Sequence, residues 1–312
     1  MPVSRAIRAA AWTVVAAGVA APALRRRLNL PKPAVIAAAA LAPLGAAVVA
    51  PRGRVRDASV CALQMWAYLA AYEIPNDDPE SLAERAHVRY PIAIDRVLGL
   101  GQIPTARLQH TFARPGRIRR FERVLVFCHW VWFVVPHGSA GYILLRRPDR
   151  FAAAAARTYA VFDLGAIFYW VIPTAPPWWA ANRGHLGELE GTPPVRRMMI
   201  EYGQEFWGDR WGDLYDVLGG NPLAAMPSLH FATSLMAAHL LSEVGPVSGL
   251  IGWSYALTLG LALVYLGEHY AADLLAGAAL AETVRRGAPR LTPAARRVTA
   301  LVDRAAILAG NG

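Results

Sequence analysis

The feature that most limits how this chain can fold is a succession of apolar runs, each close to the ~17–25 residues that cross a bilayer as a helix. They lie at 6–23, 33–50, 122–145, 152–172, 226–243, 247–266 and 269–285. A shorter run, 58–73, carries Gln64 and can span, re-enter or lie flat. Lipid offers the backbone no hydrogen-bond partners, so a crossing segment of this kind must be helical. The spacing predicts an all-α fold, a polytopic integral membrane helix bundle. Composition points the same way: 55% of the residues are hydrophobic, against about 45–50% in soluble domains.

The charge is basic, with 32 Lys+Arg against 22 Asp+Glu and a net charge of +10. The arginines flank apolar runs and form no single stripe. That pattern favours membrane topology and anionic lipid over nucleic acid. Cys61 and Cys128 both sit inside apolar runs, so neither a disulfide framework nor a zinc spacing follows. The link "RRPDR", 146–150, and the tail arginines from Arg285 to Arg304 read as cytoplasmic. The Trp-rich loop 173–222 and the starts of the runs 226–243 and 269–285 then face outward. Arg114, Arg117, Arg119 and Arg120 fall on that outer side too, against the positive-inside tendency. The resulting division is 1–57 for N-terminal membrane helices and 58–121 for a short apolar helix plus an amphipathic interfacial segment. A membrane core with its outer loop takes 122–286, and a basic cytoplasmic tail takes 287–312.

Chemistry concentrates in two stretches. "NPLAAMPSLHFATSL", 221–235, puts His230 at the mouth of an apolar helix. Pro227 suits the first helical position there, and Ser228 with the free N–H groups of that turn forms an anion cradle. "YLGEHYAADLLAG" opens a second helix with His269 at its outer end and Asp273 four residues on, on the same face. A carboxylate one turn below an imidazole fixes its tautomer and leaves the other nitrogen as base or nucleophile. An ionised aspartate in a membrane segment is costly without a partner, so it marks function by default. Glu268 reads as water-facing. The set suits the phosphate of a lipid headgroup. A transporter would also hold His and Asp within helices, but nearer the middle of the bilayer.

"MPSLH" followed some forty residues later by "HYAAD" resembles the second and third motifs of the type 2 phosphatidic acid phosphatase superfamily. The variant is similar to the inositol phosphorylceramide synthase (Aur1-like) branch, as is "VIPTAPPWW", 171–179. The likeness covers roughly 122–286, and the pairing of the two histidine motifs is its specific part. Ala262-Leu263 stands where the phosphatase branch has Ser-Arg, a departure shared with the Aur1-like branch. The resemblance implies a six-helix phosphatase-like core preceded by N-terminal helices. It implies His269 as a nucleophile forming a phosphohistidine, Asp273 as its orienting group and His230 as acid and base. It implies no metal and no other cofactor.

Phosphate binding is expected from Ser228, from Arg183 six residues after Pro177, and from Arg157. His129, Asp163, Trp178 and Trp179 are the candidate lining of a lipid pocket. For the tryptophans the competing reading is a membrane-interface anchor. The function that follows is phosphoester cleavage on a membrane lipid. The phosphoryl group or phospho-headgroup passes to water or to an alcohol such as inositol or a lipid hydroxyl. Alternatives are a prenyl (di)phosphate phosphatase, a transporter and an inactive scaffold. The expected location is a bacterial-type plasma membrane, with the site on the extracytoplasmic face.

Overall fold

The computed structural model describes residues 2–114, 116–187, 194–212 and 220–311. Parts of the outer loop, 188–193 and 213–219, lie outside the described residues. The described residues are helical with isolated β-bridges and no strands, so the expected all-α architecture is what the chain adopts. They form two units, 1–77 together with 285–312, and 78–284.

The first unit holds α1 (Pro2–Leu24), α2 (Lys32–Val49) and α3 (Arg54–Glu73). Within it the Trp66 indole N–H donates to the Gly18 carbonyl at 3.2 Å. Arg25 bonds Asp77 at 2.9 and 3.1 Å and Glu73 at 3.2 Å. The Asn311 amide closes onto the carbonyls of Val48 and Val49 at the end of α2.

The second unit begins with α4 (Pro79–Glu84), α5 (Arg89–Leu98) and α6 (Pro104–Phe112). It continues with α7 (Arg120–Trp130), α8 (Val134–Arg146), α9 (Pro148–Val171), α10 (Pro177–Asn182) and α11 (Met198–Trp207). Then come α12 (Leu229–Val244), α13 (Pro246–Tyr265) and α14 (Ala271–Leu308), the last starting in this unit and ending in the first.

Among the described residues, four helices are long and apolar enough to cross a membrane: Val3–Leu24, Lys32–Val49, Pro148–Val171 and Pro246–Tyr265. Large apolar side chains stand exposed along α13, among them Leu250, Ile251 and Leu257 at 63–69%. Water would not tolerate such a face, and lipid accepts it. The expected run 122–145 is two helices, α7 and α8, bent by 56°. Pro136 has no N–H for the Trp132 carbonyl, so the ladder breaks there. Val134 and Val135 bond instead to Val131 and Trp132, three residues back. The run 226–243 becomes the 16-residue α12. Its N-cap is Ser228, whose hydroxyl accepts from the Phe231 N–H at 3.3 Å. Pro227 therefore precedes the helix and does not occupy its first position.

Candidate active site

The site is assembled where three helix ends meet. α13 ends in a Schellman turn: the Gly267 N–H donates to the Val264 carbonyl at 3.3 Å and the Glu268 N–H to the Leu263 carbonyl at 3.1 Å. Gly267 sits at φ +86°, and a Cβ there would lie 2.9 Å from the Arg196 carbonyl oxygen. Glycine satisfies both demands at once. The turn delivers His269 just ahead of α14, so His269 is not on the same helix face as Asp273, as the spacing suggested. The pair forms another way. Tyr270 is the residue before the helix, and Asp273, three residues on, reaches back to its N–H at 2.9 Å. That is half of a capping box. The same oxygen accepts from His269 Nδ1 at 3.2 Å.

The remaining N–H groups at this helix start are capped from far away. The Asp95 carboxylate, on α5, accepts from the N–H of Ala271 at 3.2 Å and of Ala272 at 2.8 Å. Asp95 is buried, and burial raises its pKa from 3.8 to about 6, opposed by these two bonds and helped by the Asp273 charge. A carboxyl raised in the folded state stabilises most below its unfolded pKa and loses that contribution as pH rises through its folded one. Asp95→Asn is therefore expected to flatten the dependence of melting temperature on pH between 4 and 6. It also weakens the cap by about 1 kcal/mol. Thermal denaturation in detergent across that range is the check.

α12 supplies the second imidazole. His230 is its second residue, and its Nδ1 lies 3.1 Å from His269 Nε2. Because Asp273 accepts at His269 Nδ1, the Nδ1 of His269 carries the proton and Nε2 presents a lone pair. The start of α12 is fixed by the Tyr169 hydroxyl donating to the Pro227 carbonyl at 2.8 Å and by the Ser228 N–H donating to the Asp273 carbonyl at 3.0 Å. Gly277 lets this approach happen, since a Cβ there would sit 2.5 Å from the Ser228 carbonyl oxygen. Ser228 itself is fully buried, with its hydroxyl and N–H both engaged. The N–H groups of Leu229 and His230 have no partner among the described residues, as the first turn of a helix leaves them.

His129 comes to the site: its ring centroid is 5.0 Å from that of His230, and neither ring nitrogen has a hydrogen-bond partner among the described residues. Trp132 also packs on His230, at 4.1 Å. Trp178 arrives through the Gly267 turn, its N–H donating to the Gly267 carbonyl at 3.2 Å. Trp179 is buried beside Leu82 and Leu223, with Arg183 stacked over it at 3.7 Å. Arg183 is thus exposed on Trp179 and makes no contact with the imidazoles. Arg157 holds Glu243 through two bonds of 2.6 and 2.9 Å. Glu243 closes α12, roughly 20 Å along the helix from His230. Asp163 is exposed on α9 beside buried Phe162.

Arg197 was not singled out in the sequence, yet it stands next to His269. Its guanidinium bonds Glu268 at 3.0 and 3.1 Å and lies 3.8 Å over the Trp178 ring. Glu268 is buried, not water-facing, because the turn folds it beneath Arg197. Burial pushes its pKa up, but the Arg197 charge and hydrogen bond prevail and hold it below the ordinary value. Gln109 of α6 staples this loop to the end of α13. Its amide N–H groups donate to the carbonyls of Arg196 at 2.9 Å and Tyr265 at 2.8 Å, and its oxygen accepts from the Arg196 N–H at 2.8 Å. No group of His, Cys, Asp and Glu among the described residues could hold a metal ion.

Two imidazoles, one backed by a carboxylate, stand beside an arginine and a helix N-terminus, a set of groups chemically suited to a phosphate. The sequence profile of the PAP2 superfamily matches residues 92–284, and the chain belongs to that superfamily. It is an integral membrane protein of that family. Over 168 residues it is 29% identical to the inositol phosphorylceramide synthase catalytic subunit aur1 of Schizosaccharomyces pombe (strain 972 / ATCC 24843). The match covers 51% of this chain and 39% of that protein, so the chain corresponds to well under two thirds of its relative. No solved structure matches the chain.

Proposed function

We propose that this protein is a membrane lipid phosphatase or phosphotransferase working through a phosphohistidine on His269. The observation that carries the reading is the continuous relay His230 Nδ1–His269 Nε2 and His269 Nδ1–Asp273. The His269 Nε2 lone pair attacks phosphorus, and the bond from phosphorus to the lipid oxygen breaks. Substrate entry must replace the His230–His269 hydrogen bond for that attack to be in line. His230 enters the step protonated, a state favoured by the phosphate's negative charge, and gives its proton to the departing oxygen. It then takes a proton from water or an alcohol, which attacks phosphorus and frees His269. Arg197 and the N–H groups of Leu229 and His230 balance charge on the phosphate oxygens.

The position of His129 favours an alcohol acceptor as the second reading. Its ring nitrogens are buried without a hydrogen-bond partner beside His230, where an acceptor hydroxyl would be held. The name of the Schizosaccharomyces pombe relative, an inositol phosphorylceramide synthase, supports transfer over hydrolysis. A prenyl phosphate remains an alternative substrate. On this reading 122–286 is the catalytic core, preceded by 1–57 and the interfacial segment 58–121 and followed by 287–312. The arginine distribution supports a site opening on the extracytoplasmic face of a bacterial-type plasma membrane.

The test is incubation of the full chain in mixed micelles with phospholipids and prenyl phosphates, with and without inositol and in the presence of EDTA. Expected are free phosphate or a new phosphoester, together with acid-labile phosphate on His269 in quenched reactions. Turnover without any label on His269 would remove the covalent route.

A further inference from the structure

The arginines that the charge pattern puts on the unexpected side gather around one cavity. It measures about 990 Å³ and is lined by five arginines between Arg114 and Arg123 and by Glu201 and Glu205. That size falls within the range of ligand sites, ~300–1,000 Å³. Arg123 is paired with Glu205 at 2.6 Å, and Glu201 is held by Arg196 from outside the lining. Arg119 donates to the Phe112 carbonyl at 2.7 Å and lies 4.8 Å over the Phe121 ring. The side chains of Arg114, Arg117 and Arg120 have no partner among the described residues. A pocket with this excess of positive charge attracts an anion, and guanidinium is suited to phosphate.

The position of the cavity says which anion. Glu122, in the first turn of α7, accepts from the Tyr265 hydroxyl at 2.6 Å. That hydroxyl belongs to the end of α13, four residues before His269, so the cavity opens on the face of the bundle that carries His269. α7 and α8 together are a candidate bent span that starts at Arg120. Phe112 and Phe121 are exposed at 50% and 39% at that level. Cations beside exposed aromatic rings at the mouth of a span lie where headgroup phosphates lie.

We propose that this cavity binds the headgroup phosphate of an anionic phospholipid, at a site separate from the imidazoles. The proposal goes beyond the phosphoryl-transfer reading and does not depend on it. It also accounts for the arginines: the lipid they hold offsets the topological preference they break.

Native mass spectrometry of the full chain, released from micelles doped equally with phosphatidylglycerol and phosphatidylcholine, tests it. Wild type is expected to retain phosphatidylglycerol at least about tenfold over phosphatidylcholine. The double variant Arg117→Gln, Arg120→Gln should bring that ratio to within about twofold. Glu205→Gln, which releases Arg123 from its pair, should raise it. Turnover of a water-soluble phosphoester by the double variant should match wild type, which reports separately on the histidine site. Undiminished retention in the double variant overturns the proposal. Complete displacement of the lipid by equimolar inorganic phosphate also overturns it, by making the cavity a free-phosphate site.

Discussion

His269→Ala is expected to lower lipid phosphoester turnover by about 10⁴-fold or more, the scale seen when a nucleophile of a concerted unit is deleted. The loss should be in kcat, because no other group stands where Nε2 does. Folding should survive. The His269 backbone N–H keeps its 3.0 Å bond to the Leu263 carbonyl, and the caps on α14 come from Asp95 and Asp273. Thermal denaturation in detergent can verify this. His230→Ala should cost less, about 10²–10⁴-fold, as expected for loss of a general acid and base with the nucleophile still present. The ordering of the two variants is informative. If His230→Ala proved the more damaging, His230 and not His269 would carry the phosphoryl group. Equal turnover by wild type and His269→Ala would end the mechanism.

Much of this site was readable in the sequence, and the unread part has a common cause. Two histidine motifs, each beside a helix start, announce themselves because proline, serine and glycine mark those starts locally. Gly267 ending α13 and Ser228 capping α12 are signals within a few residues of the histidines they position. Asp95 and Gln109 gave no such signal. Asp95 is 176 residues from the N–H it caps, and Gln109 is 156 from the Tyr265 carbonyl it binds. In a segment that reads as amphipathic surface helix, a buried aspartate and glutamine look like any polar residue. Arg197 was hidden differently. Among 32 basic residues, nothing local separates it from Arg183 or Arg157. Its selection depends on Glu268 and Trp178, which only the folded loop brings to it. The break between α7 and α8 was masked by a continuous apolar run. Pro136 was the clue: it has no N–H to offer the Trp132 carbonyl four residues back, and Val135 supplies one instead.

Asp273→Asn isolates the charge of the relay from its shape, and the expected loss is about 10⁴-fold in kcat, as for the aspartate of a serine-protease triad. Asparagine keeps the Tyr270 N–H only while its oxygen faces it, but Asp95 still caps Ala271 and Ala272, so the start of α14 should persist. What asparagine cannot do is accept from His269 while remaining an anion. If its amide N–H₂ turns toward His269 Nδ1, that nitrogen becomes the acceptor and the imidazole proton moves to Nε2. The attacking lone pair is then lost. If the amide oxygen stays, the tautomer survives but the positive charge that develops on the imidazole loses its counter-ion. Either outcome lowers kcat, and neither touches the substrate, so KM should change little. Phosphohistidine should fail to accumulate in quenched reactions. A variant within about tenfold of wild type would mean that Asp273 serves the helix start through Tyr270 alone, leaving His269 to be oriented by something else.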